Sequence, residues 1–186
     1  MTTVLAVDLG SASGRVLAGT LTDGRLDVTD IHRFKHEARR RQDGTLTWDV
    51  ATMEAETIIG LKKALEQFPD ARSVSIDTWG VDWAPLDENG DLVGDVIAYR
   101  DERTSRTLDA FRERIGDREF FDLTGNQPAT INTANQLFAY LQENPADAQR
   151  VAGVLFLPDY FVYRLTGAVG WSRTIASTSG LLTPGG

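Results

Sequence analysis

The apolar and polar positions near the N-terminus predict a buried strand followed by a hairpin. Residues 4–7 are all apolar, and the run stops at the sequence Asp8-Leu9-Gly10. Residues 15–21 suit a second strand, and the Thr-Asp-Gly sequence that follows is a hairpin turn signal. Apolar residues at 26, 28 and 31 continue the pattern on the return strand. These segments predict an antiparallel meander that begins with a buried strand.

The next stretch predicts one long helix and two further strands. A helical repeat over 50–68 places Ile58, Leu61, Leu65 and Phe68 on one face. Asp49 or Thr52 can cap its start. Strands are predicted at 74–77 and 81–86. The order β-β-β-α-β indicates a mixed sheet covered by a helix.

The second half of the chain is predicted to be mainly helical. One helix ends at Gly116, a second covers the apolar positions between 134 and 141, and a third spans 160–165 before Gly167. A short strand is expected at 154–157, and 181–186 has the composition of a linker.

Composition and charge narrow the functional classes. The chain has 186 residues, of which 41% are hydrophobic and 25% charged, as in ordinary globular domains. Its net charge of −8 argues against binding nucleic acid or an anionic membrane through bulk electrostatics. It has no cysteine and two histidines, which excludes thiolate chemistry and a His-rich metal site. With no apolar run of about 18 residues and no leader, we expect a soluble cytoplasmic protein.

The first candidate site is the turn after the first strand. Gly10 and Gly14 allow a tight turn whose backbone N–H groups can converge on a phosphate, and Ser11 and Ser13 add hydroxyl donors. Asp8 would then bind Mg²⁺, directly or through water. The alternative is an ordinary β-turn beside an exposed carboxylate.

The second candidate is the sequence Asp77-Thr78-Trp79-Gly80-Val81-Asp82-Trp83. Trp79 offers an apolar face to a sugar ring, Gly80 permits close approach to the backbone, and the two carboxylates can accept hydrogen bonds from hydroxyl groups. In the alternative interpretation, both tryptophans belong to the core and the carboxylates form turns.

A third, weaker candidate lies at residues 99–104. Arg100 and Asp101 suit a donor–acceptor pair for a sugar, although alternating charges are more typical of a solvated helix start with Thr104 as the N-cap. Pro158-Asp159-Tyr160 is interpreted simply as the capped start of a helix.

Over nearly its whole length the chain resembles the FGGY carbohydrate kinases. The segments that carry the resemblance are Val7-Asp8-Leu9-Gly10, Ser13-Gly14-Arg15, Ile31-His32-Arg33-Phe34, Thr47-Trp48-Asp49, Ile76-Asp77-Thr78-Trp79-Gly80-Val81-Asp82, Ala98-Tyr99-Arg100-Asp101, Leu157-Pro158-Asp159-Tyr160-Phe161 and Tyr163-Arg164-Leu165-Thr166-Gly167. The Asp-Thr-Trp-Gly-Val-Asp sequence is the most discriminating, and it is similar to that of members acting on L-rhamnulose. Many members carry a Lys-x-x-Trp motif where this chain has Gln136 and Ala139, a departure that the L-rhamnulose branch shares.

The resemblance implies an α/β fold, namely a ribonuclease H-like domain of the actin/hexokinase/Hsp70 type with a mixed sheet and a helical insertion. Residues 1–186 would be the N-terminal kinase domain, with a sheet core and phosphate turn in 1–94 and a mainly helical part in 95–186. The C-terminal domain would be absent from this chain. In such enzymes two domains close on ATP–Mg²⁺ and a ketose.

The resemblance also implies residue roles. ATP phosphates would be held by Gly10, Ser11, Ala12, Ser13, Gly14 and Arg15, and Mg²⁺ by Asp8. The sugar would be contacted by Trp79, Gly80, Asp82, Arg100 and Asp101. The reaction would be ATP-dependent phosphorylation of the 1-hydroxyl of L-rhamnulose. The general base, an Asp, and the adenine pocket would lie in the second domain, so we expect this chain to be inactive alone.

Three alternatives stay open from the sequence. The protein can be a kinase for another ketose, since only the sugar-contacting loops would differ. It can be a ribonuclease H-like nuclease, in which Asp8 and Asp77 hold metal ions at strand ends. It can also be a non-catalytic sugar-binding module.

Overall fold

A computed structural model describes residues 1–185, and its largest sheet has four strands. They are β1 (Thr2–Leu9), β2 (Ser13–Thr22), β3 (Arg25–Lys35) and β6 (Val74–Thr78). The spatial order is β3-β2-β1-β6, with β1 antiparallel to β2 and parallel to β6. The predicted meander and the mixed sheet are confirmed.

Strict alternation along β1 buries one face of this sheet. Thr3, Leu5, Val7 and Leu9 are buried, while Thr2, Val4 and Ala6 between them are exposed. Successive side chains of a strand point to opposite faces, so the first run of apolar residues supplies a single core layer.

The helix α1 (Val50–Gln67) covers the buried face, with a surface that matches the predicted one only in part. Asp49 caps it by accepting the Thr52 N–H at 2.9 Å, as expected. The buried positions are Val50, Met53, Thr57, Gly60 and Ala64. The predicted face is confirmed only in part: Leu61 and Phe68 are half-buried and pack against the core, whereas Leu65 is exposed. Small residues face the sheet because the helix lies so close to β2 that a Cβ on Gly60 would overlap Val16.

Short strands that the sequence pattern does not reveal complete the β structure. Three of them, β4 (Ala38–Arg40), β5 (Leu46–Trp48) and β8 (Val96–Ile97), form a small antiparallel sheet. Such two- and three-residue strands are too short to show a period.

A third sheet pairs β7 (Trp83–Leu86) with β9 (Gly153–Phe156). The strand predicted at 81–86 therefore begins at Trp83. The earlier start is wrong because Val81 adopts a φ of 70°, which is incompatible with an extended strand.

The remaining helices lie C-terminal to β8. They are α2 (Arg103–Arg114), α3 (Asp117–Thr124), α4 (Thr133–Glu143), α5 (Pro145–Ala148), α6 (Leu157–Thr166) and α7 (Arg173–Ala176). The helices predicted before Gly116, over 134–141 and before Gly167 are confirmed, whereas α3, α5 and α7 were not predicted. β8 pairs with β5 and β9 with β7, so strand pairing crosses residue 94. The division of the domain at that residue stays a prediction.

Two helix starts differ from their predicted caps. The residue before α2 is Glu102, so Thr104 is not an N-cap but lies buried inside the helix. Asp159 does not cap α6: its carboxylate accepts the backbone N–H of Ser172 at 3.0 Å and so ties the helix to a distant loop. Pro158 occupies the first turn of α6, where a missing N–H costs little.

Within residues 1–185, no helix has the length and apolar character that a membrane span requires. Residues 181–185 form neither helix nor strand, and Gly186, part of the predicted linker, lies outside the described residues.

Candidate ligand-binding site

The two main candidate segments lie side by side at one end of the central sheet. Leu9, the last residue of β1, is the parallel partner of Thr78, the last residue of β6. The turn at 10–12 and the loop at 79–82 therefore leave neighbouring strands at the same edge. This edge, where the carboxyl ends of parallel strands meet, is the usual ligand-binding position in open α/β sheets.

The turn at this edge presents unused backbone donors. The N–H of Gly10 donates to the Ser13 carbonyl at 2.9 Å and closes the turn. The N–H groups of Ser11 and Ala12 donate to no acceptor among residues 1–185. Two such donors in one tight turn suit a phosphate oxygen.

Gly14, placed in the turn by the sequence interpretation, is instead a residue of β2. A Cβ at this position would overlap the ring of Phe34 on the neighbouring strand. Packing against Phe34 therefore explains this glycine.

Asp8 lies at the rim of the turn and is paired with Arg15. Arg15 Nη2 lies 2.7 Å from Asp8 Oδ2, and the two side chains are 40% and 38% exposed. The carboxylate of Asp77 is the direct neighbour of Asp8 across the strands and is also exposed. One or two carboxylates reached by water suit Mg²⁺, which keeps several water ligands and binds phosphates at the same time. Asp8 could therefore hold the metal, and this role stays a prediction.

The neighbouring loop builds a pair of tryptophans around a buried carboxylate. Trp79 and Trp48 have ring centroids 4.4 Å apart. Both donate their indole N–H to the same oxygen, Oδ2 of Asp82, at 2.7 Å from Trp79 and 2.6 Å from Trp48. The carboxylate thereby fixes the orientation of both rings.

Burial raises the pKa of Asp82 to about 6, although favourable contacts oppose it. The N–H groups of Trp79 and Trp48 and the charge of Arg103 stabilise the carboxylate and lower its pKa only in part. The residue has no exposed surface, and its Oδ1 finds no partner among the described residues.

His36 links the turn to the tryptophan pair. Its backbone N–H donates to the Ala12 carbonyl at 3.3 Å, and its ring stacks on Trp79 with centroids 5.9 Å apart. Burial lowers the pKa of His36 below 6.5, and backbone groups of Gly10 and Ser13 oppose this only in part. The ring is therefore neutral at pH 7 and acts as a spacer between the two segments.

Gly80 leaves the backbone of the loop open. The nearest atom to a Cβ built on it would be Thr178 Oγ1 at 3.8 Å, an ordinary contact distance. No steric conflict with residues 1–185 demands glycine here, so an approaching ligand would find the space free of these residues.

Arg100 and Asp101 have different surroundings. Asp101 is buried and accepts the N–H groups of Leu46 and Arg103 at 2.8 and 2.9 Å. Arg100 is exposed, and its Nε donates to the Tyr99 hydroxyl at 2.7 Å. The two side chains are not paired with each other, and their contacts with a sugar stay a prediction.

Sequence reasoning assigned no role to several residues that shape the site, namely His36, Trp48, Arg103, Thr133 and Gln136. Trp48 belongs to the Thr-Trp-Asp sequence before α1. In that sequence only Asp49, as a helix cap, has a role that local sequence can predict. Arg103 stands in a run of alternating charges that suggests solvent exposure, yet it is 1% exposed. Its burial depends on Gln136, which is distant in sequence, so no local pattern can reveal it.

The fold is that of known sugar kinases. A xylulose kinase from Rhodospirillum rubrum matches with a TM-score of 0.85 at 20% identity, over 98% of this chain and 38% of that chain. Glycerol kinase from Plasmodium falciparum, solved with ADP, matches with a TM-score of 0.81 at 17% identity, over 98% of this chain and 38% of that chain. At these identities the likeness shows the fold alone.

Sequence comparison gives the family. The N-terminal domain of the FGGY family of carbohydrate kinases matches residues 3–183. The chain belongs to this family, and it corresponds to the N-terminal domain. Rhamnulokinases from Mannheimia succiniciproducens and Klebsiella pneumoniae are 39% and 41% identical to it, each over 96% of this chain. The chain spans 37% of the length of both relatives.

Proposed function

We propose that the full-length protein is an ATP-dependent kinase that phosphorylates the 1-hydroxyl of L-rhamnulose. The observation that carries the proposal is the adjacency of two features at one sheet edge. A turn with two unused N–H donors beside Asp8 lies next to the loop of Trp79 and Asp82. Phosphoryl transfer depends mainly on positioning and charge neutralisation, which this arrangement suits.

On this proposal the chain supplies the phosphate and sugar contacts. The N–H groups of Ser11 and Ala12 and the guanidinium of Arg15 would bind ATP phosphates. Asp8 would hold Mg²⁺, whose charge would offset that of the phosphates. Trp79, Gly80, Asp82, Arg100 and Asp101 would contact the sugar. Asp82 and Asp101 would also hold the surrounding loops through their hydrogen bonds with Trp79 and Leu46. Identities near 40% to rhamnulokinases support L-rhamnulose over other ketoses.

The general base and the adenine pocket are assigned, by the same proposal, to the part of the polypeptide that the relatives have beyond this match. Residues 1–186 alone would then release no ADP in the presence of ATP, Mg²⁺ and L-rhamnulose. ADP release by this chain, dependent on both substrates, would contradict that assignment.

A coupled assay of ADP release tests the substrate. The full-length protein is given ATP–Mg²⁺ and a panel of L-rhamnulose, xylulose, fuculose and glycerol. We expect the highest kcat/KM with L-rhamnulose. A higher value with another ketose would support a different sugar kinase, and metal-dependent cleavage of an RNA–DNA hybrid without sugar phosphorylation would support the nuclease alternative.

A further inference from the structure

Val81, between Gly80 and Asp82 of the candidate sugar loop, has a strained backbone. Its φ is 70°, in the left-handed region. Among residues 1–185 the only other non-glycine residue with positive φ is Asp23, in a hairpin turn. A β-branched residue in this region is a genuine outlier, whereas aspartate tolerates it. Such a conformation persists only where surrounding contacts hold it.

Two side chains of helix α4 hold Val81. Its carbonyl accepts the hydroxyl of Thr133 at 2.8 Å and the side-chain amide of Gln136 at 3.1 Å. Both side chains belong to residues with 0% exposure. The helix is distant in sequence from the loop, so these two hydrogen bonds are tertiary contacts. We call the pair of side chains the clamp on Val81.

The orientation of the Gln136 amide is itself fixed from the opposite side. Its Oε1 accepts a hydrogen bond from Arg103 Nη2 at 2.8 Å, and arginine can only donate. The Nε2 must therefore face the carbonyls of Val81 and Ile131, the latter at 2.9 Å. Arg103 is held in turn by the Ala98 carbonyl at 3.1 Å and by the charge of Asp101.

We propose that Thr133 and Gln136 are positioning residues for the candidate sugar loop. They hold Val81 in the left-handed conformation, and the turn that results sets the positions of Trp79 and Gly80 at the sheet edge while Asp82 points inward. This role rests on the proposed function, and it explains how the sugar loop is held in place. A lysine at 136 would lose the acceptor for Arg103 and place a second cation beside it, so Gln136 and Arg103 suit each other.

Loss of the Thr133 hydroxyl should raise the KM for L-rhamnulose. In the full-length protein, Thr133→Val removes one hydroxyl without changing the volume. Loss of a hydrogen bond to a buried carbonyl should raise KM for L-rhamnulose by about tenfold, with a smaller change in kcat. Thr133→Ser keeps the hydroxyl, so its KM should be close to that of the natural protein. A KM that Thr133→Val leaves unaltered would overturn the inference.

A second substitution separates strain from general stability. Glycine adopts positive φ without penalty, so Val81→Gly should remove the need for the clamp. In the Val81→Gly background, Thr133→Val should change KM by less than about twofold, because the strain that the hydroxyl held is gone. An equal effect of Thr133→Val in both backgrounds would indicate a merely structural hydrogen bond and would contradict the proposal.

A spectroscopic measurement keeps the inference independent of the substrate. With 5-fluorotryptophan incorporated in the full-length protein, the ¹⁹F resonance of Trp79 is identified by its loss in Trp79→Phe. Thr133→Val and Gln136→Glu should both shift or broaden this resonance, and Val81→Gly combined with Thr133→Val should restore a single sharp line. An unaltered Trp79 signal in both single variants would refute the clamp. If the signal responds and no ketose is phosphorylated, the proposed function fails and the clamp is upheld.

Discussion

Trp79 donates its indole N–H to Asp82, which lies three residues further along the chain, at 2.7 Å. The indole of the candidate sugar loop is thus held by a carboxylate with no exposed surface. Ionising such a group costs free energy, since burial raises its pKa to about 6. The site therefore carries a cost in stability that depends on pH.

Asp82→Asn should stabilise the protein increasingly as pH rises. The folded-state pKa of Asp82 lies above its unfolded value, so the folded state binds the proton more tightly and stability falls between about pH 4 and pH 6. Asparagine has no such titration and still offers an oxygen to both indoles. The free energy of unfolding of the variant, relative to the natural protein, should rise by the order of 3 kcal/mol from pH 4 to pH 7. Urea unfolding at both pH values measures it.

An exposed carboxylate provides the control. The pKa of Asp87 is lowered, mainly by the N–H of Asp91. Its contribution is lost only as pH falls through that lowered pKa, so Asp87→Asn should show a flat difference from pH 5 to pH 7. A flat profile for Asp82→Asn over pH 4 to 7 would mean that the folded-state pKa of Asp82 is not raised above its unfolded value.

Local patterns were enough to predict the parts of the fold that depend on neighbours in sequence. The central hairpin and the Asp49 cap of α1 follow from turn and capping residues within a few positions of each other. The buried face of α1 followed only in part: Leu61 packs against the core as expected, but hydrophobicity favoured the exposed Leu65 while the close approach of the sheet required Gly60.

At the candidate site, the two loops could be predicted from the sequence, but the contacts that hold them could not. Asp82 and Trp79 could be singled out as a motif, yet their hydrogen bond and the added indole of Trp48 depend on how distant segments meet. The burial of Arg103 likewise depends on Gln136, 33 positions away. A charged residue that is buried only by tertiary contacts leaves no periodic signal.

Gly14→Ala should destabilise the protein through a steric conflict alone. The new methyl group would overlap the Phe34 ring, and overpacking of this kind costs about 1–3 kcal/mol. Gly10→Ala, in the turn that precedes β2, is the control, because its Cβ would lie 3.4 Å from the nearest atom, Ser13 O. Urea unfolding of both variants should separate them.

A rescue variant confirms the cause of the Gly14 effect. Combining Gly14→Ala with Phe34→Leu removes the ring atoms that the methyl group meets, so the double variant should be more stable than the sum of the two single changes predicts. Strict additivity would assign the loss to strand conformation instead of the Phe34 contact.

Trp79→Ala should weaken L-rhamnulose binding by about tenfold or more. The substitution removes both the ring that packs on Trp48 and the N–H bound to Asp82. Trp79→Phe keeps an aromatic face without the N–H and should retain more affinity than the alanine variant. Calorimetry on the full-length protein measures both, and equal affinity in Trp79→Ala and the natural protein would refute a sugar contact by this ring.

Asp8→Asn should reduce kinase activity while leaving the fold nearly as stable. The ion pair with Arg15 is partly exposed, so its loss should alter the free energy of unfolding by less than about 1 kcal/mol. Loss of a carboxylate that holds Mg²⁺ should lower kcat/KM by about 10- to 100-fold, and excess Mg²⁺ should recover part of it. Asp30→Asn is the control, since it breaks a similarly exposed ion pair, with Arg33 on β3. A loss of activity in Asp8→Asn no greater than in Asp30→Asn, at any Mg²⁺ concentration, would remove Asp8 from the metal site.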